Sequence, residues 1–344
     1  MPHDDKQEKT TVAVIGNGIM GHGIAEVFAT AGHDVVLIGR NQESLQDAIA
    51  KIAASVDEFV ARGVLREGST RDALARITIE TSIESAKDAG LVIEALPENL
   101  ELKVETFGRL EEICSPAAIL ATASGHPVSE MSSRVSGVNR LIATHFWYPP
   151  QLLPLVEVCG MPGTSPDVVE RTCRLLRGVG KDPVVIDREI DGFIGNRLQF
   201  ALLREAWALW ADGVASASAI DAVVRQSIGR RLGITGPLES ADLGGIDTMV
   251  SFAQFLQPTL DVSDQPPERV TALASGHVEK GLGGVRGFDS DAAAHLLQAR
   301  RDELFRWLLE SPEQRNSTRE HGSRRLEVAA EQGQEHHHPD QSDE

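Results

Sequence analysis

Thr11 to Ile15 reads TVAVI, a short β-branched run that stops at Gly16. From Ile19 to Ala31 small and apolar residues recur at helical spacing and close at Gly32, and Asp34 to Ile38 (DVVLI) is a second β-branched run. Strand, glycine turn, helix and strand within about thirty residues form a βαβ unit. A crossover of that length demands parallel neighbours, because a tight turn joins only antiparallel ones. The start of the chain therefore commits it to an α/β sheet.

Between that strand and helix stands Gly16-Asn17-Gly18-Ile19-Met20-Gly21, a G-x-G-x-x-G. Its first glycine suits a tight turn, its second lets the backbone approach a pyrophosphate, and its third lets helix and strand pack closely. Free N–H groups and the dipole at the helix start then hold phosphate, so Gly16, Gly18, Ile19, Met20 and Gly21 are the expected cofactor contacts. The end of the second strand tells one nucleotide from another. A carboxylate there would bond the adenosine ribose hydroxyls, but this chain has Gly39 followed by Arg40. A guanidinium at that place can pair with a 2′-phosphate, or stack on adenine, so NADP(H) stands open beside NAD(H).

The alternation continues with a helical pattern over Gln42 to Arg62 and strands at Ile77 to Glu80 and Leu91 to Ala95. A helix over Leu100 to Ile113 follows, then strands at Ala118 to Ala121, Arg140 to Thr144 and Leu155 to Val158, a helix over Pro166 to Val179, and a strand at Pro183 to Ile186. This predicts a Rossmann-type doubly wound parallel sheet over residues 11–190, preceded by a flexible N-terminus, residues 1–10. Beyond the polar connector Arg188 to Gly192 the pattern is helical, so residues 191–310 are expected to form a smaller all-helical domain. Residues 311–344 read as a disordered polar tail, and its His336-His337-His338 run suggests no metal site. Leu198, Leu202, Leu203, Trp207 and Trp210 recur at helical spacing as core or as a dimer interface.

Hydrophobic residues make up 41% of the chain, which excludes general disorder. Thirty-three basic against fifty-one acidic residues leave a formal charge of −18, the reverse of a nucleic-acid footprint. No apolar run approaches the ~20 residues of a membrane span, and the polar start lacks a secretory signal, so a cytoplasmic protein is expected. Cys114, Cys159 and Cys173 have no metal-ligand spacing and read as reduced thiols.

Leu91 to Lys103 reads LVIEALPENLELK, Thr144 to Val158 reads THFWYPPQLLPLVEV, and Asp191 to Leu198 reads DGFIGNRL. With the Ser124–Gly125 segment these resemble the 3-hydroxyacyl-CoA dehydrogenase family, in order from about Val12 to Leu309. The resemblance implies a Rossmann domain joined to a helical domain that dimerises. It implies hydride transfer between a nicotinamide ring and the C3 alcohol of an acyl chain, in fatty acid metabolism. His145 matches the catalytic base, Glu157 the carboxylate that orients it, Ser124 the hydroxyl on the substrate oxygen, and Asn196 the amide of the second domain. Glu98 and Lys103 match positions lining the nicotinamide and ribose.

Oxidising an alcohol requires removal of its proton as hydride leaves, a task for a histidine whose pKa lies near working pH. A carboxylate on the other ring nitrogen fixes the tautomer and stabilises the imidazolium. Donors such as Ser124 and Asn196 would hold the carbonyl oxygen in the reverse direction. Glu157, inside an apolar strand, also needs a buried partner.

The chain departs from the family at Tyr148, where Asn is common, and at His126, where a small apolar residue is usual and which reads as a surface histidine or as a contact to a polar substrate. Family members acting on acyl-CoA often carry basic residues in the helical excursion after the second strand. Here Gln42 to Arg62 offers only Lys51 and Arg62. Arg230 and Arg231, ahead of Gly236-Pro237-Leu238-Glu239, look more like the relatives that oxidise free hydroxy acids such as L-gulonate or carnitine, and read either as a clamp for a carboxylate or as loop-surface cations. Three readings follow: a dehydrogenase of a 3-hydroxyacyl-CoA, which family frequency favours; a dehydrogenase of a small free 3-hydroxy acid; and a non-catalytic nucleotide-binding protein. A silent copy has no physical need for His145 and Glu157 together.

Overall fold

The protein is described by a computed structural model over residues 9–275 and 284–310. The expectations for residues 1–8 and for the tail, including its three histidines, lie outside the described residues.

The first half alternates strand and helix: β1 (Val12–Ile15), α1 (Gly21–Thr30), β2 (Val35–Ile38), α2 (Gln42–Ala61), α3 (Ser69–Leu74), β3 (Ile77–Glu80), β4 (Leu91–Glu94), α4 (Leu100–Ile113), β5 (Ile119–Thr122), β6 (Leu141–Phe146), β7 (Leu155–Gly160), α5 (Pro166–Gly178) and β8 (Asp182–Ile186). They build one eight-stranded sheet in the order β3-β2-β1-β4-β5-β6-β7-β8. Strand alternation divides its apolar residues between two cores. Val12 and Val14 face Ile24, Phe28 and Leu45, while Ala13 and Ile15 face Phe107 and Leu110 on the other side. Helix starts are chemically marked: Asn41 accepts the Ser44 N–H ahead of α2, and Asn99 accepts the Leu102 N–H ahead of α4.

Two expectations need correction. The sheet is parallel at every pairing but one, because β7 runs antiparallel to β6. Residues 147–154, the link between them, are too few for a parallel crossover, which needs a dozen or more. Strand β6 also runs on to Phe146, so His145 lies inside the strand and not after it. The antiparallel register sets His145 directly opposite Glu157. Directly opposed residues share a face of the sheet, so the sequence separation of twelve residues becomes one side-chain contact.

The second half is helical: α6 (Phe193–Ala211), α7 (Ala217–Gln226), α8 (Ile228–Arg231), α9 (Pro237–Leu243), α10 (Ile246–Leu256), α11 (Glu268–Ser275) and α12 (Ser290–Leu309). Among the described residues after Asp191, only Phe193 and Phe305 are buried. Leu198 and Leu202 are exposed, so the apolar stripe of α6 is not an internal core. Among the described residues no helix is long and apolar enough to cross a membrane.

Candidate active site

The G-x-G-x-x-G forms the turn between β1 and α1. Gly16 has φ +109°, a left-handed conformation suited to glycine, and a Cβ there would lie 2.5 Å from the Ala95 carbonyl oxygen. A Cβ on Gly21 would lie 1.8 Å from the Gly16 carbonyl oxygen, so only glycine lets the helix start against the turn. A Cβ on Gly18 would instead meet nothing within 4 Å among the described residues. Close packing at the first and third glycines with open space at the second is the shape a pyrophosphate needs, and the residues present fit a dinucleotide. Ile19 is exposed beside this opening and Met20 half-buried under it. Arg40 stands exposed just past the end of β2, with no hydrogen bond or ion pair among the described residues. Gly39 before it takes the Glu80 carbonyl through its N–H at 3.0 Å.

The ends of β4 and β5 carry a buried polar network. Glu94 is fully buried and accepts Lys103 Nζ at 2.8 Å and the Leu96 N–H at 2.6 Å on Oε1, and the Thr122 hydroxyl at 2.7 Å on Oε2. Lys103 is thus a buried partner of Glu94, not a solvated helix lysine, and its Nζ lies 3.5 Å from Glu98. Glu98 accepts the Ser124 hydroxyl at 2.6 Å, and Ser124 Oγ in turn accepts the His126 N–H at 3.1 Å. The lysine therefore holds the loop that brings Glu98 to Ser124. Glu94 and Thr122 were not singled out from the sequence; the signal was a lone carboxylate in the apolar run LVIEA, with a lysine nine residues on.

His145 and Glu157 meet across the antiparallel pair, with Nδ1 donating to Glu157 Oε2 at 2.8 Å. Trp147 Nε1–H donates to the same oxygen at 3.2 Å. The other oxygen accepts the N–H groups of Ile194 and Gly195 at 2.9 and 3.0 Å, in the first turn of α6. Burial alone would raise the Glu157 pKa, but the His145, Gly195 and Trp147 hydrogen bonds outweigh it and hold the carboxyl below its ordinary value. Phe193 enables this arrangement: it follows left-handed Gly192 (φ 74°) at φ 49°, unusual for a bulky residue. Its fully buried ring lies 5.5 Å from the His145 ring. The strained turn aims the next two N–H groups at Glu157. Trp147 and this backbone pair carry no motif that sequence reasoning could have used.

The Nε2 side of His145 faces the second domain. Asn196 Nδ2 lies 3.5 Å from it, and a Cβ on Gly125 would lie 3.3 Å from Asn196 Nδ2 and 4.0 Å from His145 Nε2. Gly125, whose carbonyl accepts the Gly192 N–H at 2.9 Å, thus joins the Ser124 loop to the start of α6. Ser124, His145, Glu157, Asn196 and Glu98 are brought together where the central strands β4, β5 and β6 end. Arg230 and Arg231 are not: both are exposed on α8, and no contact among the described residues ties them to this cluster. His126 lies exposed at its rim, with Nδ1 3.5 Å from Glu130 and Nε2 3.9 Å from Glu98. His126, Glu130 and Asp191 bring ligand-type atoms within 4.8 Å of one another, all exposed. Chemically, the arrangement offers an oriented imidazole, two polar groups around its free nitrogen, and a phosphate cradle at the end of β1, the parallel neighbour of β4.

The chain matches the family model described as 3-hydroxyacyl-CoA dehydrogenase, NAD binding domain, over residues 11–190, and that family's C-terminal domain over residues 192–287. It is 39% identical over 244 residues to the 3-hydroxyadipyl-CoA dehydrogenase of Escherichia coli K12, covering 71% of this chain but only 50% of that protein's length. It is 35% identical over 252 residues to the L-carnitine dehydrogenase of Streptomyces griseus, covering 72% of this chain and 74% of the relative. The solved structure of 5-formyl-3-hydroxy-2-methylpyridine 4-carboxylic acid 5-dehydrogenase, described as an NAD+-dependent dismutase, superimposes with a TM-score of 0.79 at 26% identity. That superposition covers 88% of this chain and 99% of the other. Cradle, sheet order and both matched domains agree, and the chain belongs to the 3-hydroxyacyl-CoA dehydrogenase family.

Proposed function

We propose that the protein is a nicotinamide-dependent dehydrogenase of a 3-hydroxyacyl compound, with His145 as general base. The observation that carries this reading is the 2.8 Å His145–Glu157 hydrogen bond, held by a carboxylate whose four donors fix it in place. A bound nicotinamide supplies the hydride acceptor. With Nδ1–H committed to Glu157, the neutral imidazole presents Nε2 as a lone pair, which takes the proton of the C3 hydroxyl. The Glu157 charge stabilises the imidazolium that results. In the reverse direction Nε2–H returns that proton while Ser124 and Asn196 hold the carbonyl oxygen. Ser124 now donates to Glu98 and turns to substrate when it binds.

The acyl group is read first as a CoA thioester, the class named for the Escherichia coli relative. The second reading is a free hydroxy acid, in line with the names of the carnitine and pyridine carboxylic acid enzymes. The family's NAD-binding domain speaks for NAD(H), while the Gly39-Arg40 pair, with no carboxylate at the strand end, supports use of NADP(H) as well. The helical half is proposed to pair with a second copy. Leu198 and Phe200 of α6 and Val250, Phe252 and Phe255 of α10 are exposed apolar side chains of the kind a subunit interface covers. Three buried, unpaired cysteines suit a reducing cytoplasm.

The test is initial-rate absorbance of reduced nicotinamide with acetoacetyl-CoA, and of oxidised nicotinamide with free 3-hydroxy acids, each with both cofactors. Turnover that falls by orders of magnitude in His145→Gln, with cofactor affinity kept, is the expected result; equal turnover removes His145 as base. Light scattering after gel filtration reads the dimer directly.

A further inference from the structure

Successive side chains of a strand alternate between its faces, so His145 and Trp147 share one side of the chain where β6 runs out, and both reach Glu157 on β7. The indole stands edge-on to the imidazole, with ring centroids 5.8 Å apart and planes at 67°. Its Nε1–H donates at 3.2 Å to Glu157 Oε2, the oxygen that also accepts His145 Nδ1 at 2.8 Å. The far edge of the indole lies on the first turn of α6. A Cβ on Gly195 would stand 2.2 Å from Trp147 Cζ2 and 3.0 Å from its Cε2, so the ring fills the space that a side chain at 195 would need. Gly195 is not among the glycines with positive φ, so the site uses its missing side chain and not its conformational freedom. Trp147 and Gly195 are one fitted contact across the domain junction, and both end on Glu157: the indole N–H on Oε2, the Gly195 N–H on Oε1 at 3.0 Å.

The shared oxygen has an electrostatic consequence. An imidazolium at 145 is stabilised by the charge density on Glu157 Oε2, and a second donor on that oxygen draws part of it away. The indole bond joins the His145 and Gly195 bonds in holding the Glu157 carboxyl below its ordinary value. A less basic carboxylate gives less to its histidine, which then releases a proton more readily. Among the described residues no lysine or arginine pairs with Glu157 or His145. The other ionisable groups around the pair are Glu98, reached through Ser124 on the β5 side, and exposed His126, Glu130 and Asp191 at the rim. From α6 come uncharged Asn196 and exposed Arg197, from β8 the apolar Val184 opposite Glu157, and beyond β8 Asp187 and Glu189, which face Cys159. All of these stay in place when the indole is changed.

We propose that Trp147 is a positioning residue for His145: seated by Gly195, its indole N–H fixes Glu157 and sets the pH at which His145 takes up a proton. The proposal deepens the dehydrogenase reading above and rests on it for the role of His145 as base.

The experiment follows the His145 ring by NMR titration of the full chain, with its signal assigned by its loss in His145→Gln. In Trp147→Phe the midpoint should rise by about 0.3–1 pH unit, the range that one neutral hydrogen bond supplies. Gly195→Ala, which retains the indole but displaces it, should move the midpoint the same way. Phenylalanine has no atom at the Cζ2 place, so in the double variant the alanine should add nothing to the shift. The acid limb of kcat/KM for alcohol oxidation should move up with the midpoint. An unchanged midpoint in Trp147→Phe overturns the proposal, and so do additive shifts in the double variant, since the two residues would then act apart. If Trp147→Phe does not fold, Gly195→Ala reads the same bond with the tryptophan in place, and an unmoved midpoint there has the same force. A midpoint that moves as expected in a protein that turns over neither thioester nor free acid leaves the tuning of His145 standing and ends the dehydrogenase reading.

Discussion

Replacing Glu157 by glutamine removes one charge without changing the shape of the side chain. The carboxylate now serves four donors, two on each oxygen: His145 Nδ1 and Trp147 Nε1 on one, the Ile194 and Gly195 N–H groups on the other. A carboxamide has a single oxygen, so its NH₂ must face one of those pairs. Facing His145, it forces Nδ1 to become an acceptor and moves the ring proton to Nε2, where the base's lone pair is needed. Facing α6, it leaves two N–H groups without an acceptor, at about 1–3 kcal/mol each. Either way the imidazolium loses its neighbouring charge. A charge-assisted bond is worth about 1.5–3 kcal/mol, and at an effective dielectric of about 20 the Coulomb ceiling for charges about 4 Å apart is ~4 kcal/mol. A loss of about 2–4 kcal/mol in the transition state lowers kcat roughly 30- to 900-fold, with KM nearly unchanged. The pH dependence follows from the depressed carboxyl. Its stabilisation is present above the ordinary carboxylate value of 4.5 and is lost as pH falls below that value through the folded one. The wild-type melting temperature should therefore fall more steeply in acid than that of Glu157→Gln. Steady-state rates and thermal melts across pH check both statements. A variant within about threefold of wild-type kcat, with the same melting profile, refutes the orienting role.

Three further outcomes are expected. Glu26 is buried with one oxygen unpartnered among the described residues, and desolvation raises its pKa to about 7, so the folded protein keeps a proton that the unfolded chain releases near 4.5. That contribution costs stability as pH rises between those values, by about 3 kcal/mol once pH exceeds 7. Glu26→Gln should raise the melting temperature at pH about 8 and leave it unchanged at pH about 4, and a variant no more stable at the higher pH rejects the assignment. Gly125→Ala would set a methyl 3.3 Å from Asn196 Nδ2, tighter than ordinary contact, so kcat should fall about tenfold while the melting temperature holds; unchanged kcat removes the Asn196–His145 approach from the reaction. If Arg40 meets a 2′-phosphate, Arg40→Asp should lower the NADP:NAD ratio of kcat/KM values, and a constant ratio shows that it meets none.

The sheet and its cradle were legible because backbone chemistry writes them locally. Gly16, Gly18 and Gly21 stand between two β-branched runs, and each glycine meets the steric demand its place predicts. His145 and Glu157, and the contact between them, came from the family motifs, whereas the local pattern did not report the geometry that makes the contact. It depends on β7 reversing direction, and the only local sign was the shortness of the link from Trp147 to Pro154. Lys103 was harder still: a lysine on a helix after a strand ordinarily reaches solvent, and only the buried Glu94, nine residues earlier, draws it inward. Arg230 and Arg231 drew notice as adjacent cations, a local property. Arg301 and Lys51 share a cleft because α12 crosses 250 residues of chain to lie on α2, and nothing local reports that.

The orientation of the proposed base, His145, and the attachment of the helical half are one physical event. Glu157 lies on a strand of the sheet, yet half of its donors come from the first turn of α6. A buried carboxylate held by a single histidine would carry a desolvation cost that one hydrogen bond does not cover. Backbone N–H groups at a helix start supply the remaining stabilisation, and they are available only when Gly192 and Phe193 adopt left-handed conformations. The left-handed backbone of Phe193 is tolerated because its ring is fully buried against His145 and the Ala143 side of the sheet core. Strain at the domain junction, burial of one aromatic ring and the tautomer of His145 thus depend on one another, so the proposed role of His145 as base requires the assembled two-part fold.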